Sequence, residues 1–178
     1  MESPSEYNLT AWPEINPTET LVADSKPGRP LVVDVGDSKG HDLTKFHLCH
    51  PDIHEGSLVL QDLPDILKER TMDATIVPGQ VPSFHPHDLF TPQPVRGAHA
   101  YFMHNVLHDW EDEQTTQIFK HLDEAMEPGY SKLLIHESLV STIKPLARVT
   151  TSGLTMMACL GAKERTEAEW RQLVESVG

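Results

Sequence analysis

Eleven histidines are spread along the chain, and one of them is a candidate for proton chemistry. His108 lies in NVLHDW, Glu137 in LLIHE and Glu164 in AKERTE. Imidazole titrates close to neutrality, so His108 is a candidate general base, or else a capping or packing residue before Asp109 and Trp110. Three earlier features can bind a ligand. DVGDSKG (34–40) is a glycine-bearing turn whose backbone can approach a ligand closely, and it equally suits an ordinary tight turn. It is not GxGxxG, so a dinucleotide phosphate site is not indicated. Asp62 ends LVLQD, where a carboxylate can take both hydroxyls of a ribose or cap the next helix. In HDLF (87–90), Asp88 can accept from an adenine amino group while apolar neighbours flank the ring, or it can belong to a plain loop.

The elements that must hold these residues alternate in type. LVVDV (31–35) is a short β-branched run that predicts a buried strand. A helix is expected over 41–49, a second strand over 57–61 and a short helix over 63–70, with Pro64 in its first turn. DATIVPG (73–79) is expected to hold a weak third strand, AHAYFMH (98–104) a fourth and SKLLIHE (131–137) a fifth. Between the last two, 111–126 is an amphipathic helix with Ile118, Leu122 and Ala125 or Met126 on one face. Asp109 is expected to cap it, and Trp110 to pack. Strands alternating with helices predict βαβ units, a mostly parallel sheet and ligand residues at the carboxyl ends of the strands. His108 and the three ligand features fall there.

Composition narrows the classes. The chain has 178 residues, a formal net charge of -13 and no run of Lys and Arg, which argues against a nucleic-acid partner. No apolar stretch is long enough to span a bilayer, and MESPSEYNLTAW is no secretory signal. Cys49 and Cys159 lie far apart and form no CxxC, so a reducing compartment fits, with the cytoplasm as the default location. His47, Cys49, His50 and His54 match no standard zinc spacing, and no metal is expected. The division expected is a proline-rich lead-in over 1–29 and one cofactor-binding domain over 30–178.

The succession DVGxxxG, LVLQDLP, HDLF, YFMHNVLHDWEDE, LLIHE and GAKERTEAEW resembles the plant and fungal caffeic acid O-methyltransferase-like family, whose members use S-adenosylmethionine. The resemblance runs from about residue 31 to the end and implies a Rossmann-like α/β methyltransferase domain. It further implies methyl transfer to a hydroxyl, phenolic in kind, of a small secondary metabolite, with His108 as base and Glu137 and Glu164 flanking it. Gly36 would lie against the methionine part of the cofactor, Asp62 would hold the ribose, and Asp88 and Leu89 would contact the adenine. Met156 and Met157, in TMMACL, fall where the family lines its acceptor pocket, although plain helix core suits them nearly as well.

Several positions depart from the family. His104 stands where a cofactor-holding Lys or Arg is usual, and Asp37 where a second glycine is usual. A side chain at 37 is expected to crowd the cofactor and strain the turn. The family also carries a helical N-terminal dimerisation domain and a final pair of strands that these 178 residues do not include, so about five strands are expected. Those departures support an alternative, a non-catalytic remnant or interaction module derived from such an enzyme.

Overall fold

A computed structural model describes residues 12–15, 17–36, 40–71, 82–140 and 165–178. Helices α1 (Trp12–Ile15) and α2 (Thr18–Ala23) precede strand β1 (Val32–Val35). Then follow α3 (His41–Cys49), β2 (Leu58–Asp62), α4 (Pro64–Thr71), β3 (Ser83–Pro86) and β4 (Ala100–His104). A 3-10 turn (Leu107–Asp109) leads into α5 (Asp112–Asp123), β5 (Lys132–His136) and α6 (Glu167–Glu175). The sheet has five strands in the order β3-β2-β1-β4-β5, and every pairing is parallel. The expected α/β class and strand number are therefore met among the described residues.

The pleat explains why the central strands read as mostly apolar runs rather than as alternating ones. Successive side chains point to opposite faces, and both faces of this sheet are covered. Val33, Val35, Val59, Tyr101 and Met103 face α5 and α6, where they pack with Ile118, Phe119, Leu122 and Trp170. Val32, Leu58, Leu60, Ala100 and Phe102 face the other way, onto Leu43, Phe46, Leu67, Leu21 and Trp12. Trp12, only 3% exposed, stacks on Phe46 and on Phe102, at 5.3 Å and 4.5 Å between ring centroids. Residues well before β1 thus help to close one layer of the core.

One local expectation changes, and one lies outside the described residues. The third strand is Ser83–Pro86, paired with β2 from Val59 to Asp62, whereas 73–79 lies outside the described residues. The N-cap of α5 is Glu111 rather than Asp109: the Glu111 amide donates to the Gln114 side chain at 3.2 Å. Asp109 belongs to the preceding 3-10 turn. Trp110 packs as expected, edge-on to Phe90 at 4.7 Å. Among the described residues no helix is long and apolar enough to cross a membrane.

Candidate active site

Because all five strands run the same way, their carboxyl ends lie along one edge of the sheet. Gly36 directly follows β1, Asp62 ends β2, Asp88 follows β3, His104 ends β4 and Glu137 follows β5. The structure thus brings the sequence-predicted residues to a common edge.

Glu137 forms the anchor of this edge. Its side chain is 1% exposed. Oε1 accepts the main-chain N–H of Val106 at 3.0 Å and of Leu107 at 2.8 Å. Its other oxygen, Oε2, lies 2.8 Å from Nδ1 of His108. A carboxylate can only accept, so Nδ1 is the donor of this pair. Asp109 Oδ1 stands 3.3 Å from Nε2. Burial raises the pKa of Asp109 above the usual carboxylate range; His108 acts to lower it, and Glu137 adds to the rise. The 3-10 turn from Leu107 to Asp109 sets this geometry, because two of the amides at its start point into Glu137 rather than into a helix.

At the β1 end, Gly36 has φ +90° and donates its N–H to Gln61 O at 2.8 Å. A Cβ on Gly36 would meet Cγ2 of Val106 at 3.0 Å and Cγ1 at 3.1 Å. The glycine therefore has two tasks: it adopts a backbone conformation that L side chains disfavour, and it lets β1 close on the loop that carries His108. Gly40, at φ +64°, is the N-cap of α3. Asp62 Oδ1 accepts the adjacent Leu63 amide at 2.7 Å, while Leu63 rather than Asp62 is the residue preceding α4. Asp88 Oδ1 accepts the Phe90 amide at 3.0 Å, which folds the HDLF loop back on itself.

His104 reveals partners that the sequence did not suggest. Its Nδ1 is 2.6 Å from Asp42 Oδ2, in the first turn of α3. Its ring also stacks on His136 at 4.2 Å with an 8° interplanar angle. Burial holds the pKa of His136 below its ordinary value, and His104 pushes in the same direction, against Asp42 and Glu137. Acids are common in first helical turns, so Asp42 carried no special signal. Its role follows only once α3 is docked beside β4. Asp37, Glu164, Met156 and Met157 lie outside the described residues. No group of three or more His, Cys, Asp or Glu among the described residues is placed to hold a metal ion.

An O-methyltransferase domain model matches residues 15–178. The O-methyltransferase mfmE of Annulohypoxylon moriforme is 42% identical over 171 residues, which are 96% of this chain and 41% of that protein. The O-methyltransferase asqD of Emericella nidulans is 39% identical over 172 residues, 94% of this chain and 43% of that protein. The chain thus spans about two fifths of the length of these relatives. Among solved structures, LepI in complex with S-adenosylmethionine superposes with a TM-score of 0.84 at 30% identity, over 92% of this chain and 41% of that one. OxaC with S-adenosylhomocysteine and oxaline gives 0.83 at 26% identity, over 93% and 41%. Matched along almost its whole length, with the five parallel strands in place, the chain belongs to the O-methyltransferase domain family.

Proposed function

We propose that this chain is the cofactor and base half of an S-adenosylmethionine-dependent O-methyltransferase acting on a phenolic hydroxyl of a small secondary metabolite. The observation that carries the reading is the His108–Glu137 pair, 2.8 Å apart, at the edge where Gly36, Asp62, Asp88 and His104 also end. The strand order sets the order of these residues along the edge: Asp88 beside β3, Asp62 on β2, Gly36 after β1, then His104 and Glu137. At about 4.8 Å per strand the row covers roughly 19 Å. It fits an elongated ligand taken end to end, with Asp88 and Leu89 at the adenine, Asp62 at the ribose and Gly36 at the methionine portion. Asp37 and His104 would border that last portion, and Met156 and Met157 would line the acceptor pocket.

Bound there, the cofactor supplies an electrophilic methyl group on a sulfonium. With the cofactor held by Gly36, Asp62, Asp88 and Leu89, His108 Nε2 would take the proton of the acceptor hydroxyl. Glu137 fixes the tautomer that leaves Nε2 basic and stabilises the imidazolium that results, as a carboxylate does in a catalytic triad. Glu164 would flank the same ring. Asp109, close to Nε2, offers the imidazolium a second carboxylate. The fold alone would not decide the chemistry, because one solved relative at 30% identity is described as a pericyclic reaction enzyme. The buried acid behind His108 favours proton removal.

Isothermal titration with S-adenosylmethionine and turnover of simple phenols test this reading. Native chain should bind and turn over, and His108→Ala should bind but not turn over. Turnover surviving in His108→Ala, or no binding at millimolar cofactor, overturns it.

A further inference from the structure

Arg165 is the largest fully buried side chain among the described residues, with no exposed surface, yet it carries a permanent charge. Its contacts all fall on the segment that carries His108 and on the helices beside it. Nη1 donates to Leu107 O at 3.1 Å, and Nη2 donates to Trp110 O at 2.6 Å and to Thr115 Oγ1 at 3.4 Å. Nε donates to Asp112 Oδ1 at 2.9 Å. The guanidinium also lies over the Trp170 ring, 4.8 Å from its centre. Leu107 and Trp110 supply the two carbonyls that bracket His108 and Asp109, so the fork grips both ends of the turn.

The main chain at 165 is held as well. Its carbonyl accepts the Val140 amide at 3.0 Å, and Leu139 bridges to it in parallel, a few residues beyond Glu137. On the other side Thr166 caps α6, with its amide donating to Glu169 Oε2 at 2.8 Å. Arg165 therefore joins the His108 turn, the segment running on from Glu137, and α6.

We propose that Arg165 is a positioning residue: its guanidinium holds the 107–110 turn so that His108 Nδ1 meets Glu137, and it fixes which nitrogen of the base is available. The inference rests on His108 being the base. Buried charge by itself would be a costly way to stabilise a turn, since an apolar side chain of similar size often serves as well. Only a planar fork can satisfy two carbonyls, a hydroxyl and a carboxylate from one point. A lysine keeps the charge but cannot span that set.

The test uses the full 178-residue chain and reads the ring nitrogens of His108 by 15N NMR, with His108→Asn used for assignment. Native chain should show one tautomer with the proton on Nδ1. Arg165→Lys should keep its circular dichroism but show exchange-averaged His108 nitrogens. Its kcat should fall about 100-fold, the scale of a small misplacement of a reacting group, with S-adenosylmethionine affinity unchanged. A lower melting temperature with the native tautomer intact would mean a purely structural role and overturn the proposal. Asp112→Asn removes the charge from a half-exposed side chain that meets both Nε and Nη2 of Arg165, and it covers the case in which Arg165→Lys does not fold. It should shift the His108 pH titration, and a native titration there overturns the proposal too. Loss of the tautomer in a chain whose native form never transfers methyl would instead refute the function proposed above, because the spectrum needs no turnover.

Discussion

Gly36→Ala isolates how closely the first strand must approach the loop that carries His108. Two costs are expected, and they can be separated. An L side chain at φ +90° pays for a conformation outside its allowed regions, about 1–2 kcal/mol by analogy with the left-handed helix. Its Cβ also lands 3.0 Å from Val106 Cγ2, and overpacking of this kind costs about 1–3 kcal/mol. Together the loss should be roughly 2–5 kcal/mol. Val106 is 7% exposed, so Val106→Ala by itself should cost about 2 kcal/mol. In the double variant the steric term disappears and only the backbone term remains, which predicts a favourable coupling of about 1–3 kcal/mol. Urea unfolding of the native chain, the two single variants and the double variant measures this, with a midpoint shift of about 1 M or more for Gly36→Ala at ordinary slopes. Strictly additive costs would refute the packing argument. A Gly36→Ala penalty that vanishes entirely once Val106→Ala is also present would refute the backbone argument.

Two further outcomes follow from the same geometry. In Glu137→Gln the amide oxygen can still accept from Val106 and Leu107, but its NH2 then faces His108 Nδ1. His108 should adopt the other tautomer, and turnover should fall by about 10⁴, as when a triad aspartate becomes asparagine, with cofactor affinity little changed. A loss below about tenfold would contradict it. His99 is buried against Tyr130, and burial, with Lys132 adding to it, holds its pKa below the ordinary 6.5. The unfolded chain therefore takes up its proton first. Stability should be complete above pH 6.5 and decline as pH falls below it, with His87 and His136 pulling the same way. Urea midpoints between about pH 7 and 5 check this, and His99→Phe should flatten the slope; an unchanged slope would count against it.

What the sequence revealed was largely what a strand or helix announces through its own residues. β1 and β4 are almost wholly buried runs rich in apolar residues, and α5 carries its buried stripe at Ile118 and Leu122, so these elements were legible from their own residues. SFHP has no such pattern. It is a strand because β2 offers an open partner edge, and that is a tertiary fact. The same division holds in the site. His108 and Glu137 stand just beyond strand ends, and position together with the family resemblance singled them out. Asp42 and Arg165 reach the site from a helix start and from a distant segment, and both types are common on surfaces, so nothing local distinguished them. Glu111 displaced Asp109 as the cap because the 3-10 turn consumes Asp109 before the helix begins.

The way Glu137 is held has a consequence for how such a site tolerates change. Two of its three bonds go to main-chain amides, which every residue but proline supplies whatever its side chain. Mutational drift at 106 and 107 is thus invisible to the anchor electronically and is policed only by fit: by the closeness of Gly36 at one position and by a fully buried core side chain at the other. Neither constraint involves an acceptor molecule. The carboxylate anchor is thereby kept by any pair of residues, proline apart, that fits at 106 and 107.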